Sequence, residues 1–179
     1  MNKINILVTG ADGFVGRNLC AALARREDVL LYRYDVGQTP EELGAALAAA
    51  DIVYHLAGVN RPPDPADFAK GNTDFTRQIC GRLLSLGRSP LIVLSSSTQA
   101  ELENPYGASK RQAEQIVDDY AQACAARFSS PCLCASALKA HYASIYRLPN
   151  VFGKWCRPNY NSAVATWCHN IARGLPIQV

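Results

Sequence analysis

Apolar residues along the chain fall into two rhythms, short continuous runs and longer stretches in which they recur every three or four positions. Ile4, Ile6, Leu7 and Val8 make the first run, over residues 2–9, and Gly10 ends it. Residues 29–34, 51–58, 91–94 and 145–148 repeat that pattern. Runs of this length bounded by turn residues predict strands buried on both faces. The longer rhythm predicts helices between them. Residues 13–26 place Leu19, Ala22 and Leu23 inward, and residues 66–86 carry Phe68, Phe75, Ile79, Leu83 and Leu86 at helical spacing. A helix opening at Pro105 continues through Ala113, Ile116, Val117, Tyr120 and Cys124. A closing helix over 162–173 turns Val164, Trp167 and Ile171 inward and stops at Gly174. Residues 175–179 read as the start of a further strand, whose bare edge beside Ile177 and Val179 is expected to promote self-association. Strands alternating with helices imply right-handed crossovers, and hence an α/β fold with a doubly wound parallel sheet flanked by helices.

Composition narrows this picture without changing it. With 179 residues, 49% hydrophobic and 18% charged, the chain can build one sizeable core. A net charge of +3, with basic residues clustered no further than pairs such as Arg25-Arg26, gives no surface for nucleic acid. Met1 leads almost at once into a strand, and no apolar run approaches the ~18 residues of a membrane span. A cytoplasmic protein without a membrane partner is expected. Seven cysteines, an odd number, point to free thiols rather than a disulfide framework.

The first strand-to-helix turn carries Gly10, Gly13 and Gly16, with Phe14 and Val15 between them. Glycines there permit a tight turn, close approach of a pyrophosphate, and packing of helix on strand, while the helix N-terminus attracts the phosphate charge. A ligand-free βα turn is the alternative. The end of the second strand offers two readers of the adenosine ribose. Asp35 suits a free 2′-hydroxyl, whereas Arg33, with Arg17, suits a 2′-phosphate. Leu56, Ala57 and Gly58 end the third strand with small residues against which a flat cofactor can lie, and the loop beyond holds Asn60 and Arg61. His55 is expected in the core or just behind the site rather than in catalysis. Asn72 shares the apolar face of its helix and must find partners, either bracing the site or capping a nearby loop.

Reaction chemistry is suggested by Tyr106 and Lys110. Four residues apart on one helix, both side chains leave the same face and can reach one reacting atom. A neighbouring ammonium is expected to draw the phenol, near ~10 when free, toward a value at which it exchanges a proton near neutrality. The fourth apolar run ends in Ser95-Ser96-Ser97, which sets a hydroxyl at a strand's carboxyl end; Ser97 is the candidate to meet a carbonyl opposite the phenol, with Ser96 next. Residues 122–144 hold Cys124, Cys132, Cys134 and His141, but their spacing fits no common zinc pattern. A loop with a short helix, and no metal, is expected there.

Gly10-x-x-Gly13-x-x-Gly16, the Asp51-to-Gly58 stretch, Ser97, Tyr106-x-x-x-Lys110 and Arg147-x-x-Asn150-Val151-Phe152-Gly153 together resemble the extended short-chain dehydrogenases/reductases, the NAD-dependent epimerase/dehydratase family with its Rossmann-type domain. Within that family, Leu56-to-Pro62, Asn104-to-Lys110 and Gly153-to-Ser162 resemble the reductase domain of CapF-type capsular-polysaccharide enzymes. The resemblance implies an NADPH-dependent reductase, with NAD as the alternative cofactor, acting on a UDP-4-keto-6-deoxy-N-acetylhexosamine on the route to UDP-N-acetyl-L-fucosamine. It implies catalytic Ser97, Tyr106 and Lys110. Tyr106, Lys110 and Asn150 join Gly10, Gly13, Phe14, Val15, Gly16, Arg33, Asp35, Leu56, Ala57 and Gly58 at the cofactor, and Asn60, Arg61, Asn150, Lys154, Asn159 and Asn161 contact the sugar nucleotide. A homodimer is also implied. In such enzymes the reductase domain continues further and a cupin domain follows, so residues 1–179 read as a single, C-terminally incomplete domain that binds dinucleotide well and UDP-sugar weakly. An epimerase or dehydratase retaining NAD, or a non-catalytic dinucleotide module, are the other readings. Thr98-Gln99 stands where dehydratases of this kind carry an Asp-Glu pair, which disfavours dehydration.

Overall fold

The computed structural model describes residues 3–64, 66–127 and 142–177. Strands β1 (Ile4–Thr9), β2 (Val29–Tyr34), β3 (Ile52–His55), β4 (Leu91–Ser97) and β5 (Ala143–Leu148) form one sheet in the order β2-β1-β3-β4-β5, all parallel. The chain leaves β1 toward β2 and then returns across β1 to β3, so connections diverge on either side of the β1/β3 seam. In an open α/β sheet a crevice forms outside the strands' carboxyl ends at that point. Gly10 and Leu56 follow directly on these two strands.

Helices α1 (Phe14–Leu23), α2 (Pro40–Ala49), α3 (Ala66–Phe68), α4 (Phe75–Ser85), α5 (Pro105–Arg127) and α6 (Ala163–Ile171) complete the order, with a π-helical stretch, Ala69–Asp74, joining α3 to α4 and a 3-10 turn, Thr98–Glu101, joining β4 toward α5. Local chemistry starts them cleanly. Thr39 accepts from the backbone of Glu42 while the Glu42 side chain accepts from that of Thr39, and Pro40 takes the first helical position, where its missing N–H costs nothing. Leu43 and Leu47 of α2, Ile79 and Leu83 of α4, and Val117, Tyr120 and Cys124 of α5 pack on one sheet face around Leu7, Val53, Ile92 and Leu94. On the other face α1 packs Cys20 and Leu23 against Ile6, Val8 and Val29.

Several expectations shift. Ala22 is exposed and Cys20 takes the inward place in α1, while Leu86 is also exposed. In α6 no residue is fully buried, and Ile171 is 65% exposed rather than inward. Residues 175–177 form no strand: Leu175 donates its N–H to the Asn170 carbonyl, and Asn170 Nδ2 donates to that of Pro176, folding the segment back onto the helix end. Val179 lies outside the described residues, as do Cys132, Cys134 and His141. The expected loop after residue 122 is helical as far as Arg127, because Ala121, Cys124 and Ala125 keep α5 packed.

Candidate functional site

The crevice at the strand ends is a cavity of about 790 Å³. Its floor is the β1–α1 turn. Gly10 adopts φ +69°, and a Cβ there would stand 2.6 Å from the Ala57 backbone nitrogen, so only glycine lets the two strand ends meet this closely. Gly13 caps α1 without any side-chain hydrogen bond. The first N–H groups of the helix therefore point at the cavity with no side chain satisfying them, which suits an anionic group. At the rim Asp35 accepts from the backbone N–H groups of Asp12, at 2.6 Å, and Val36, at 2.8 Å. Arg33 pairs with Asp12 at 2.5 Å, while Arg17 lines the cavity itself.

The wall is built by α5. Gly107 is what allows it: a Cβ at this position would run into the carbonyl oxygen of Gln99 and stand 2.8 Å from that of Leu102. The helix start thus packs directly on the 3-10 turn after β4, which brings Tyr106 within hydrogen-bond reach of Ser97. Asn104 closes the helix start by accepting from the Gly107 N–H at 2.7 Å. Lys110, 7% exposed, donates to the Ser95 carbonyl at 3.1 Å, with its ammonium 5.9 Å from the centre of the Tyr106 ring.

Here the electrostatics correct the sequence. Burial pushes the Tyr106 phenol above its ordinary value, and the hydrogen bond from Ser97 only partly offsets this. The expected pull toward neutrality is missing: burial dominates, and the Lys110 ammonium, bonded to the Ser95 carbonyl, does not reverse it. Burial in turn lowers the ammonium of Lys110 to about 8, against the raising influence of Glu114. At neutral pH Tyr106 holds its proton and Lys110 its charge.

Behind the wall runs a buried polar chain whose direction can be deduced. Thr76 gives its hydroxyl proton to the Asn72 carbonyl at 2.6 Å, so it must accept from His55 Nε2, 2.9 Å away. His55 Nδ1 then accepts from Thr9 Oγ1 at 2.8 Å, leaving that hydroxyl to receive the Ala57 N–H at 3.4 Å. Burial, and secondarily Lys110, hold the imidazole down at about 3 and therefore neutral. His55 is thus a core residue behind the site, as its place in mid-strand suggests. Asn72 sits in the π-helical stretch, where one extra residue in the turn aims it at the loop after β3. It accepts from the Val59 N–H at 2.9 Å and donates to the Val59 carbonyl at 3.1 Å and to Ser109 Oγ at 3.0 Å. It pins the loop and braces α5 at once.

Most of the residues singled out in the sequence meet here. Gly10, Gly13, Phe14, Val15, Gly16, Leu56, Gly58, Asn60, Ser97, Tyr106, Lys110, Asn150 and Asn161 line the cavity. Arg61 and Asn159 line a neighbouring one of about 380 Å³, which shares Asn150 and Asn161. Lys154 is not brought in: its ammonium lies 4.4 Å from the centre of the Trp155 ring and its carbonyl accepts from Asn18. Trp155, Arg157 and Tyr160, within the Gly153-to-Ser162 stretch but not singled out individually, also line the wall. Arg61 and Arg157 both approach the Tyr160 ring, at 6.0 and 5.5 Å. A guanidinium–aromatic alternation in the sequence could have signalled them. Among the described residues no cluster of His, Cys, Asp or Glu could hold a metal, and no helix is long and apolar enough to cross a membrane.

A parallel sheet with a glycine turn at its switch point, and a Ser–Tyr–Lys set beside that turn, define a dinucleotide-binding α/β protein. The chain belongs to the NAD-dependent epimerase/dehydratase family, whose model matches residues 6–179. It is 45% identical over 176 residues to a UDP-2-acetamido-2,6-beta-L-arabino-hexul-4-ose reductase of Pseudomonas aeruginosa, an alignment covering 98% of this chain and 43% of that protein. Its structure is similar to that of the capsular polysaccharide assembling protein CapF from Staphylococcus aureus, with a TM-score of 0.79 and 43% identity over 98% of this chain and 44% of CapF. A UDP-glucuronic acid 4-epimerase from Bacillus cereus, at 18% identity and TM-score 0.71 over 97% of this chain and 65% of its own, shares the fold. The chain therefore spans less than half the length of the curated reductase it matches.

Proposed function

We propose that this chain is the dinucleotide-binding and catalytic part of an NADPH-dependent reductase of a UDP-4-keto-6-deoxy-N-acetylhexosamine, on a route to UDP-N-acetyl-L-fucosamine. The observation that carries the reading is the identity with a named sugar-nucleotide reductase across nearly the whole chain, together with Ser97, Tyr106 and Lys110 at one cavity. The β1–α1 turn fits the dinucleotide, since it lines the cavity with Gly10, Gly13 and Gly16 and leaves the first N–H groups of α1 without a side-chain cap, which is what a pyrophosphate needs. When bound, NADPH supplies the hydride that reduces the keto carbon. Tyr106, protonated at neutral pH, gives its proton to the keto oxygen as that hydride arrives. Ser97 donates a hydrogen bond to the same oxygen and orients it. Lys110, its buried ammonium 5.9 Å from the centre of the Tyr106 ring, would hold the nicotinamide ribose of the cofactor.

NADPH rather than NADH is favoured by the state of the two ribose readers. Both Asp35 oxygens are occupied by backbone N–H groups, whereas Arg33 is tied to one exposed carboxylate and Arg17 lines the cavity wall. Calorimetric titration of NADPH and NADH into the protein, followed by addition of the UDP-4-keto sugar while NADPH fluorescence is monitored, tests the reading. Tighter binding of NADPH, selectively weakened by Arg33→Ala, is expected. Equal or tighter binding of NADH makes Asp35 the reader, and failure to bind either dinucleotide overturns the assignment.

A further inference from the structure

Helix α5 carries a third polar side chain on the face that presents Tyr106 and Lys110. Glu114 lies one turn beyond Lys110 and is 8% exposed. Ser96 hydrogen-bonds to its Oε1. Arg147 of β5 grips both carboxylate oxygens, Nε to Oε1 at 2.9 Å and a terminal nitrogen to Oε2 at 2.7 Å, and its remaining arm reaches Glu101 Oε1 at 2.9 Å. Ser96 and Arg147 are also partners in the β4/β5 register. One carboxylate thus joins three elements beside residues of the site. Ser96 precedes Ser97, Glu114 follows Lys110 by a turn, and Arg147 lies just ahead of Asn150.

A tie made only for stability does not need this chemistry. Desolvating a carboxylate is costly, and a buried ion pair can usually be replaced by packed apolar side chains with little loss. Here burial, the largest single influence, raises the Glu114 carboxyl, and the hydrogen bonds from Arg147 and Ser96 together with the charges of Arg147 and Lys110 outweigh it and keep the group ionised. The groups bearing on Lys110 are neutral His55 from β3, Tyr106 and Glu114 from its own helix, and, through Glu114, Arg147 and Glu101. Glu114 is the anion in that set that lies on the Lys110 face of α5.

We propose that Glu114 is a positioning residue for the reductase reaction: held by Arg147 and Ser96, it sets the spacing of Ser97, Tyr106 and Lys110 and keeps a negative charge one helical turn from the buried ammonium. The proposal rests on the reductase reading for its kinetic consequence but not for its electrostatic one. Protein carrying ¹³Cε-lysine is titrated by NMR, with the Lys110 signal identified by its loss in Lys110→Met. Glu114→Gln removes the anion and is expected to lower the proton affinity of Lys110 about tenfold, whereas Arg147→Met removes the cation that offsets Glu114 and is expected to raise it. With NADPH and the UDP-4-keto sugar, Glu114→Gln should reduce kcat on the order of 10–10²-fold with little change in NADPH affinity, the scale of a small misplacement of reacting groups. A Lys110 midpoint unmoved in Glu114→Gln, or moved in the same direction by both variants, overturns the proposal. If Glu114→Gln does not fold, Arg147→Met decides it, since a midpoint at the wild-type value or below is then sufficient to reject it. Should the wild-type protein reduce no sugar nucleotide, the reductase reading falls, and the opposite shifts in Lys110 still decide whether Glu114 governs it.

Discussion

Gly107 rests its bare Cα face against the carbonyl oxygen of Gln99, and that contact sets the distance at which Tyr106 stands from Ser97. Substituting alanine puts two effects in opposition. Alanine in a helix is worth roughly 1 kcal/mol over glycine, while forcing a methyl group into a packed contact costs about 1–3 kcal/mol. The backbone contact should win. Gly107→Ala is therefore expected to melt at a lower temperature and, by moving α5 away from β4, to lose sugar reduction by on the order of 10²-fold. Thermal melts and turnover measured together check this, and a variant more stable than wild type with full activity contradicts it.

Tyr106→Phe removes the proton donor but leaves the ring that packs 5.6 Å from Phe68. Dinucleotide affinity should stay within a few-fold while reduction falls on the order of 10²–10⁴-fold, the usual share of a positioned general acid. Calorimetry and single-turnover kinetics separate the two. Activity within a few-fold of wild type would place the acid elsewhere.

His55 makes stability depend on acid. The unfolded chain takes up a proton on this histidine near 6.5, the folded protein only near 3, so between those values the unfolded state binds more protons. Its contribution is fully present above pH 6.5 and is lost as pH falls toward 3. His55→Gln, which can still donate one hydrogen bond and accept another, should flatten that slope. Denaturant midpoints measured from pH 7 to pH 4 in both proteins test it, and parallel slopes would reject it.

Lys110 acts at the other end of the scale, again as a cation whose charged form burial disfavours. Its folded value of about 8 lies below the ordinary 10.5, so the buried ammonium penalises the fold at neutral pH and the penalty is relieved as pH rises from about 8 to 10.5. Lys110→Met should be more stable than wild type at pH 7 and lose that advantage by pH 10, while reduction is abolished. A variant no more stable than wild type at pH 7 would show that the Ser95 hydrogen bond offsets the burial.

How far the sequence reveals this protein depends on the range of the forces involved. β2 is legible to its last residue because its apolar run coincides with its pairing to β1. β4 is not, since the apolar run stops at Leu94 while β5 goes on pairing through Ser97 and Leu148, so three serines are strand by virtue of a neighbour fifty residues away along the chain. The opposite happens in β3, which ends at His55 where its partner Thr9 ends, short of the small residues that follow. Tyr106, Lys110 and Ser97 are legible from local spacing. Glu114 is not, because what keeps it charged is Arg147, on β5, far along the chain. The π-helical turn at Asn72 leaves no mark in a pattern of apolar residues, as one added residue only blurs the period. The exposed face of α6 shows the converse limit, an amphipathic pattern read as burial where the described residues supply no cover for Ile171.

The place of β1 between β2 and β3 also has a consequence for synthesis. Ile6 hydrogen-bonds within a ladder to Ile52, and Ile4 in one to Val29, so β1 precedes both its neighbours in the chain and acquires β3 only after the longer of the two intervals. At about 5–20 residues per second, β1 waits on the order of 2–10 s for β3 to leave the ribosome. Leu7 and Val8, wholly enclosed in the finished protein, are bare for that interval. A nascent chain stalled before residue 52 should accordingly be held by a chaperone through this strand, and release should coincide with the arrival of β3.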